Sequence, residues 1–297
     1  MIKDVKRRAA RLQQRPAQPQ AYHFPAPQVS DDLNPLLNDA DRLARLFGEI
    51  AIRAGHAIMK SRDAADAPQY KRDGSPVTAA DLAADEVIRH ELAQHLPEVL
   101  VITEESCPAV AAANADRFIL VDPLDGTREF IKGSSEFTVN IALIEHGTPM
   151  VGAVYAPALG LLYVGGKTAF RARIADADPL SNEMQPIAVR PSPPEGWHVV
   201  VSRSHLDPAT KEWIAGHRIA EHRPAGSSLK FCLVAEGEAD VYPRLGTTME
   251  WDTAAGHAVL TAAGGSVMDL DGRPMQYGKP DFRNGSFIAW GKGGGTI

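Results

Sequence analysis

A chain of 297 residues with a net charge of −6 at pH 7 is long enough for one large domain or two ordinary ones, and too acidic for binding a nucleic-acid polymer to be its main business. At 44% apolar and 23% charged residues it has the composition of a globular protein, with no apolar run of bilayer-spanning length and no signal-peptide core. Its two cysteines, Cys107 and Cys232, have neither metal-site nor framework spacing and are expected as reduced thiols of a cytoplasmic protein.

Residues 1–35 are basic, then rich in Pro and Gln, with no sustained apolar stripe. They are expected as a flexible tail. A targeting segment or an electrostatic, peripheral contact with the cytoplasmic face of the inner membrane are the alternatives. A helix is expected from about Asp39, where Leu43, Leu46, Phe47, Ile50, Ala51 and Ala54 recur at three- and four-residue spacing. Turn chemistry at Asp73-Gly74-Ser75-Pro76 precedes Thr78 and Asp81, a capping-box pair that opens a second helix. Its stripe is Ala84, Ile88, Leu92 and Leu96, and Pro97 marks its stop. His90 and His95 on this helix read as solvated or core-edge groups rather than metal ligands.

Two short apolar runs, Leu100 to Ile102 and Phe118 to Val121, read as strands that end in acids, Glu104 and Asp122. Thr138 to Val164, broken by Gly and Pro at 147–149 and 156–160, has the pattern of an antiparallel meander. Beyond a boundary expected near 176–195, strands at Val199 to Val201, Val241 to Tyr242, Val267 to Leu270 and Phe287 to Trp290 alternate with helices. Those helices are expected at Pro208 to Gly216, Leu229 to Ala235 and Thr253 to Ala263. Such alternation indicates an α/β layer.

The densest chemistry lies in "VDPLDGTREF" at 121–130. Asp122 and Asp125 flank Pro123 in what reads as a stiff turn, and Gly126 lets the backbone fold closely behind them. Carboxylates and backbone carbonyls are hard ligands that suit Mg²⁺ or Mn²⁺ rather than zinc. Taken alone, the two acids fit an Asx turn as well as a metal site; acids at two strand ends, Glu104 and Asp122, favour the site. A haloacid-dehalogenase-type phosphatase would carry Asp-x-Asp-x-Thr with a covalent nucleophile. Here the second acid stands one residue too far along, so that mechanism fits poorly.

In order and spacing, "SPVTAADLAADEVI", "ITEES", "VDPLDGTREFIKGSSEFTVNIALIEHGTPMVGAVYAPALG" and "EWDTAAGHAVLTAAGG" resemble the motifs of the inositol monophosphatase superfamily. The resemblance covers roughly residues 40–290. "GTREFI", "SRSHLD" and "GSSLKFCLVAEGEADVYPRLG" are similar to its bacterial CysQ-type branch of 3′(2′),5′-bisphosphate nucleotidases. The implied fold is a layered αβαβα sandwich. Its N-terminal α+β subdomain (36–180) carries the metal-binding motifs, and its C-terminal α/β subdomain (181–297) carries the nucleotide-binding residues.

The resemblance implies one metal on Glu104, Asp122 and the Leu124 carbonyl, and a second on Asp122, Asp125 and Asp252. Two to three Mg²⁺ ions are implied, with Mn²⁺ as a substitute and Li⁺ as an inhibitor. Thr127 and Asp81 would orient and deprotonate the attacking water, with Glu104 counted beside them as catalytic. Backbone amides of Gly126 and Thr127 would meet the phosphate, next to Asp125 and Asp252. His205, Ser227 or Ser228, Lys230 and Arg244 would contact a nucleotide. Singly, Lys230 and Arg244 fit surface charges; together with "GSSLKFC" they favour a second phosphate. Arg128 stands where lysine is commoner in the branch, a cation for a cation.

The expected reaction converts adenosine 3′,5′-bisphosphate to AMP and phosphate, with its sulfated relative as a further substrate. The alternative is a phosphatase for inositol 1-phosphate or a sugar phosphate such as fructose 1,6-bisphosphate. A non-catalytic sensor would have lost a ligand or the Asp81/Thr127 pair, and none is lost. The partner expected is a small-molecule nucleotide, on a monomer or homodimer.

Overall fold

A computed structural model describes residues 34–62, 68–70, 74, 76–106, 115–174, 183–204 and 206–293. All but the end of the expected tail, together with Cys107 and His205, lies outside the described residues.

Helix α1 (Ala40–Arg62) buries Leu43, Phe47, Ile50, Ala51, Ala54 and Ile58 along one face, the stripe expected from the spacing. A short antiparallel pair, β1 (Gln69–Tyr70) with β2 (Pro76–Val77), leads into α2 (Ala79–His95). The capping box forms as expected: Ala80 N donates to Thr78 Oγ1 at 3.2 Å, and Thr78 N donates to Asp81 Oδ2 at 2.7 Å. Leu96 caps the other end through its N–H to Leu92 O, and Pro97 has no N–H with which to continue.

A seven-stranded sheet follows in simple order: β3 (Leu100–Thr103), β4 (Arg117–Asp125), β5 (Thr138–Glu145), β6 (Thr148–Ala156), β7 (Leu161–Gly165), β8 (Ala169–Arg173) and β9 (Gln185–Pro186). Only β3 and β4 run parallel; the rest is the expected meander, continued by two strands. A single turn of helix, α3 (Thr127–Ile131), joins β4 to β5.

The second sheet has the order β11-β10-β12-β16-β14, from β10 (Trp197–Ser202), β11 (Ile219–Ala225), β12 (Val241–Arg244), β14 (Ser266–Met268) and β16 (Phe287–Trp290). The first three are parallel and the last two pair antiparallel. β13 (Thr248–Met249) and β15 (Arg283–Asn284) form a separate short pair. The helices are α4 (Pro208–Ala215), α5 (Leu229–Ala235) and α6 (Ala254–Ala262). β11 has no counterpart in the sequence reading. "IAEHRPA" is an edge strand whose side chains are mostly exposed, so no apolar alternation betrays it.

Alternation along the strands sorts the layers. Ile119, Val121, Ile141 and Leu143 join Leu43, Phe47, Ile88 and Leu92 in a core beneath α1 and α2. The intervening Phe118, Leu120, Ala142 and Ile144 join Phe231, Ala255, Val259, Tyr242 and Phe287, between the two sheets around α5 and α6. Val199, Val201, Val241 and Ile288 pack with Ile214 of α4 on the far face of the second sheet. The result is the expected αβαβα sandwich. Cys232 sits in its middle as a buried free thiol, its ionisation pushed up by burial. No helix among the described residues is long and apolar enough to cross a membrane.

The reading of 122–125 as a turn is corrected. These residues are the end of β4, where Asp122 pairs with Asn140 and Asp125 with Thr138. Three steps on one strand match two on the other, which is a β-bulge. A bulge is also where a strand tolerates the missing N–H of Pro123. Residues three apart in a regular strand face opposite sides; the extra residue returns Asp122 and Asp125 to the same cleft.

α6 lies unusually close to the first sheet. A Cβ on Gly152 of β6 would lie 2.5 Å from the Ala255 carbonyl oxygen, and one on Gly165 of β7 2.7 Å from Val259 Cα. Both neighbours are backbone and cannot swing aside. Gly152→Ala is therefore expected to destabilise the fold by about 1–3 kcal/mol, measured by denaturant unfolding.

Candidate active site

The carboxyl ends of β3 and β4, the start of α3, the turn before α5 and the turn before α6 meet at one cleft of about 350 Å³. Glu104, Asp122, Leu124, Asp125, Gly126, Thr127, Ser227, Lys230, Arg244 and Asp252 all line it. Asp81 and Ser228 lie behind the lining, and His205 is outside the described residues.

Each acid is held by local chemistry. Glu104 follows β3, its N–H bonding Val121 O at 3.1 Å so that the parallel ladder runs one step further. Asp122 is 1% exposed, and its Oδ1 accepts from Leu124 N at 3.0 Å. The Asx turn weighed as an alternative thus exists inside the site. Asp125 Oδ2 accepts from Ser227 Oγ at 2.7 Å and Ser228 Oγ at 3.2 Å. Asp252 Oδ2 accepts from Met249 N at 2.8 Å.

Burial, and then repulsion from Glu104, Asp125, Asp252 and Asp81, push the Asp122 carboxyl well above the usual carboxylate range. Asp252 is raised by burial, then by Asp125. Like charges in a poorly solvated place hold one another apart. No three His, Cys, Asp or Glu side chains among the described residues are close enough together to form a coordination shell as they stand. The set consists of hard oxygens, the four carboxylates of Glu104, Asp122, Asp125 and Asp252 with the Leu124 carbonyl as a further candidate donor, and its crowding of negative charge is one that a divalent cation would offset. On donor chemistry the residues fit magnesium.

Gly126 ends β4 at φ 93°, a conformation that a residue with a Cβ resists, and starts α3. Thr127 Oγ1 then donates to Asp81 Oδ1 at 3.1 Å, with Leu124 O at 3.2 Å. The other Asp81 oxygen is the capping-box acceptor and also receives Thr78 Oγ1 at 2.6 Å. Burial raises Asp81 above its ordinary value, while the Thr78 and Thr127 hydrogen bonds oppose the shift.

The cations stand on the second half. Lys230, in the first turn of α5, donates to Ser227 O and lies 5.3 Å from the centre of the Tyr242 ring. Burial lowers it to about 8, against the pull of Asp125. Arg244 closes β12, with Nη2 3.4 Å from Thr247 O. Ser227 lines the cleft, whereas Ser228 is spent on Asp125, the Asp252 carbonyl (2.8 Å) and Asn140 Nδ2 (2.9 Å).

Some neighbours escaped the sequence reading. Glu129, Ser202 and Ser204 line the cleft. Glu250 is fully buried, accepts from Gly278 N at 2.7 Å and Lys279 N at 3.0 Å, and pairs with Lys279 Nζ at 2.6 Å. It anchors the turn that carries Asp252. Its partners lie almost thirty positions away, and nothing in the local pattern marks them.

Comparison with known proteins identifies the family. Residues 34–292 match the model of the inositol monophosphatase family. The 3′(2′),5′-bisphosphate nucleotidase CysQ of Escherichia coli (strain K12) is 46% identical over 237 residues, covering 77% of this chain and 91% of that protein. The protein of the same description from Buchnera aphidicola is 39% identical over 247 residues, covering 81% and 91%. The crystal structure of CysQ from Bacteroides thetaiotaomicron superposes with a TM-score of 0.70 at 37% identity, over 84% of this chain and 97% of that one. Match and cleft together settle the ancestry: the chain belongs to the inositol monophosphatase family.

Proposed function

We propose that the chain is a Mg²⁺-dependent phosphomonoesterase that removes the 3′-phosphate of adenosine 3′,5′-bisphosphate to leave AMP, and that its sulfated relative is handled in the same way. The observation that carries this reading is a single cleft lined by both Glu104, Asp122, Asp125 and Asp252 and the cations Lys230 and Arg244. A bisphosphate nucleotide supplies one phosphate for the metal-type acids and another for the cations. Inositol 1-phosphate has no second phosphate, and fructose 1,6-bisphosphate has no base. The descriptions of the Escherichia coli and Buchnera relatives support the nucleotide.

Glu104, Asp122, the Leu124 carbonyl, Asp125 and Asp252 would hold two to three magnesium ions, with manganese as a substitute and lithium as an inhibitor. Bound magnesium supplies charge neutralisation at the phosphate and a more acidic water. Thr127 Oγ1 would orient the attacking water and Asp81 Oδ1, 3.1 Å from that hydroxyl, would take up its proton, directly or through the hydroxyl. A carboxylate raised by burial is the better base for this. Lys230 and Arg244 hold the second phosphate, and Ser227 steadies Asp125.

With Mg²⁺ present, phosphate release from adenosine 3′,5′-bisphosphate is expected to exceed that from inositol 1-phosphate and fructose 1,6-bisphosphate. Equal or faster release from inositol 1-phosphate sinks the nucleotidase reading. Asp125→Asn should abolish turnover of every substrate. Arg244→Ala removes a charge-assisted contact of about 1.5–3 kcal/mol. It should therefore raise KM for the bisphosphate by about ten- to a hundredfold while leaving inositol 1-phosphate kinetics unchanged. Lys230 is protonated below about 8 and neutral above it. Affinity for the bisphosphate nucleotide should therefore fall as pH rises through that value, read from inhibitor binding or kcat/KM profiles.

A further inference from the structure

Beside the cleft, the Glu136 carboxylate gathers donors from the ends of two strands of the other sheet. Arg203, just past β10, donates Nε to Oε2 at 2.7 Å and Nη2 to Oε1 at 2.8 Å. Gly226, just past β11, donates its N–H to Oε2 at 2.9 Å. Arg203 also ties the two strand ends together, through Nη2 to Pro224 O at 3.0 Å and its own N–H to Ala225 O at 3.2 Å. No side chain fits at 226, where a Cβ would lie 2.9 Å from both the Cβ and the carbonyl oxygen of Glu136.

The next residue, Ser227, is held at φ 51°, a conformation uncommon for residues other than glycine. In it the Ser227 hydroxyl touches Thr138 Oγ1 and donates to Asp125 Oδ2 at 2.7 Å. A continuous line of contacts thus runs from Arg203 through Glu136, Gly226 and Ser227 to Asp125. The Arg203 hydrogen bonds foremost hold Glu136 below its ordinary carboxylate range, so the pair stays charged at neutral pH. Arg203 is 48% exposed, and an exposed ion pair adds little stability. What a two-point guanidinium–carboxylate contact does fix is direction.

We propose that Glu136 and Arg203 are positioning residues: their ion pair sets the Gly226–Ser227 turn and, through the Ser227 hydroxyl, the direction in which Asp125 presents its carboxylate to a divalent cation. The inference rests on Asp125 being a metal ligand, as proposed above. Partners of ligating carboxylates commonly tune metal affinity.

The test is a double-mutant cycle read by Mn²⁺ binding in electron paramagnetic resonance titrations, without substrate or turnover. Arg203→Ala and Ser227→Ala should each weaken Mn²⁺ binding about tenfold, and the double variant should lose no more than about twice the larger single loss. Arg203→Lys, with one point of contact in place of two, should fall between wild type and Arg203→Ala. Wild-type affinity in Arg203→Ala, or a double loss equal to the product of about a hundredfold, overturns the proposal. Asp125→Asn separates the failures. If it binds Mn²⁺ as wild type does, the metal reading and this inference fall together; if it binds weakly while Arg203→Ala binds normally, only this inference falls. Should Arg203→Ala not fold, the isosteric Glu136→Gln takes its place in the cycle with the same expected loss.

Discussion

Burial of Asp122 and Asp252, and then their repulsion from Glu104 and Asp125, is the constraint on which the cleft depends. Two unit charges about 4 Å apart repel by about 4 kcal/mol at an effective dielectric of about 20. Left to themselves, such groups turn toward water. Here Asp122, Asp125 and Asp252 are denied that freedom by the fold. The β4 bulge turns Asp122 and Asp125 to one side, two serines hold Asp125, and the Glu250–Lys279 anchor fixes the turn of Asp252. The fold holds the acids together, at an electrostatic cost of the kind a divalent cation would relieve.

The same economy of parts appears at Asp81. One oxygen closes a capping box at the start of α2, and the other meets Thr127 across the cleft wall. The stability of a helix end and the aim of a hydroxyl therefore depend on a single carboxylate. The close approach of α6 to the sheet at Gly152 and Gly165 serves the same purpose from the opposite side. It docks α6, with the turn carrying Asp252 at its start, on β6 and β7 of the sheet whose β3 and β4 bring in the other acids.

Much of this was legible in the chain. Helical spacing marked α1 and α2, Thr78 and Asp81 marked the cap, and two short apolar runs followed by acids marked β3 and β4, though β4 runs on past Asp122 to Asp125. The metal-type residues were nameable because their spacing within "VDPLDGT" and "EWDTAAG" is local. The conformation of "DPLD" was not. A proline between two acids reads as a turn, and only the pairing with Asn140 and Thr138 makes it a bulged strand. β11 was silent because an edge strand packs few of its side chains.

By itself, the sequence determined what is set by periodicity and by groups a few bonds apart: helices α1, α2, α4, α5 and α6, the meander, the α/β rhythm and the group of hard oxygen donors. Tertiary structure alone decided which of two neighbouring serines faces the cleft, that Glu250 finds Lys279, and that Glu136 joins Arg203 to Gly226. Those contacts span from about thirty to ninety positions. Charge and hydrogen bonding act through space, over a few ångströms, and no local pattern records which distant residues the fold will bring that close.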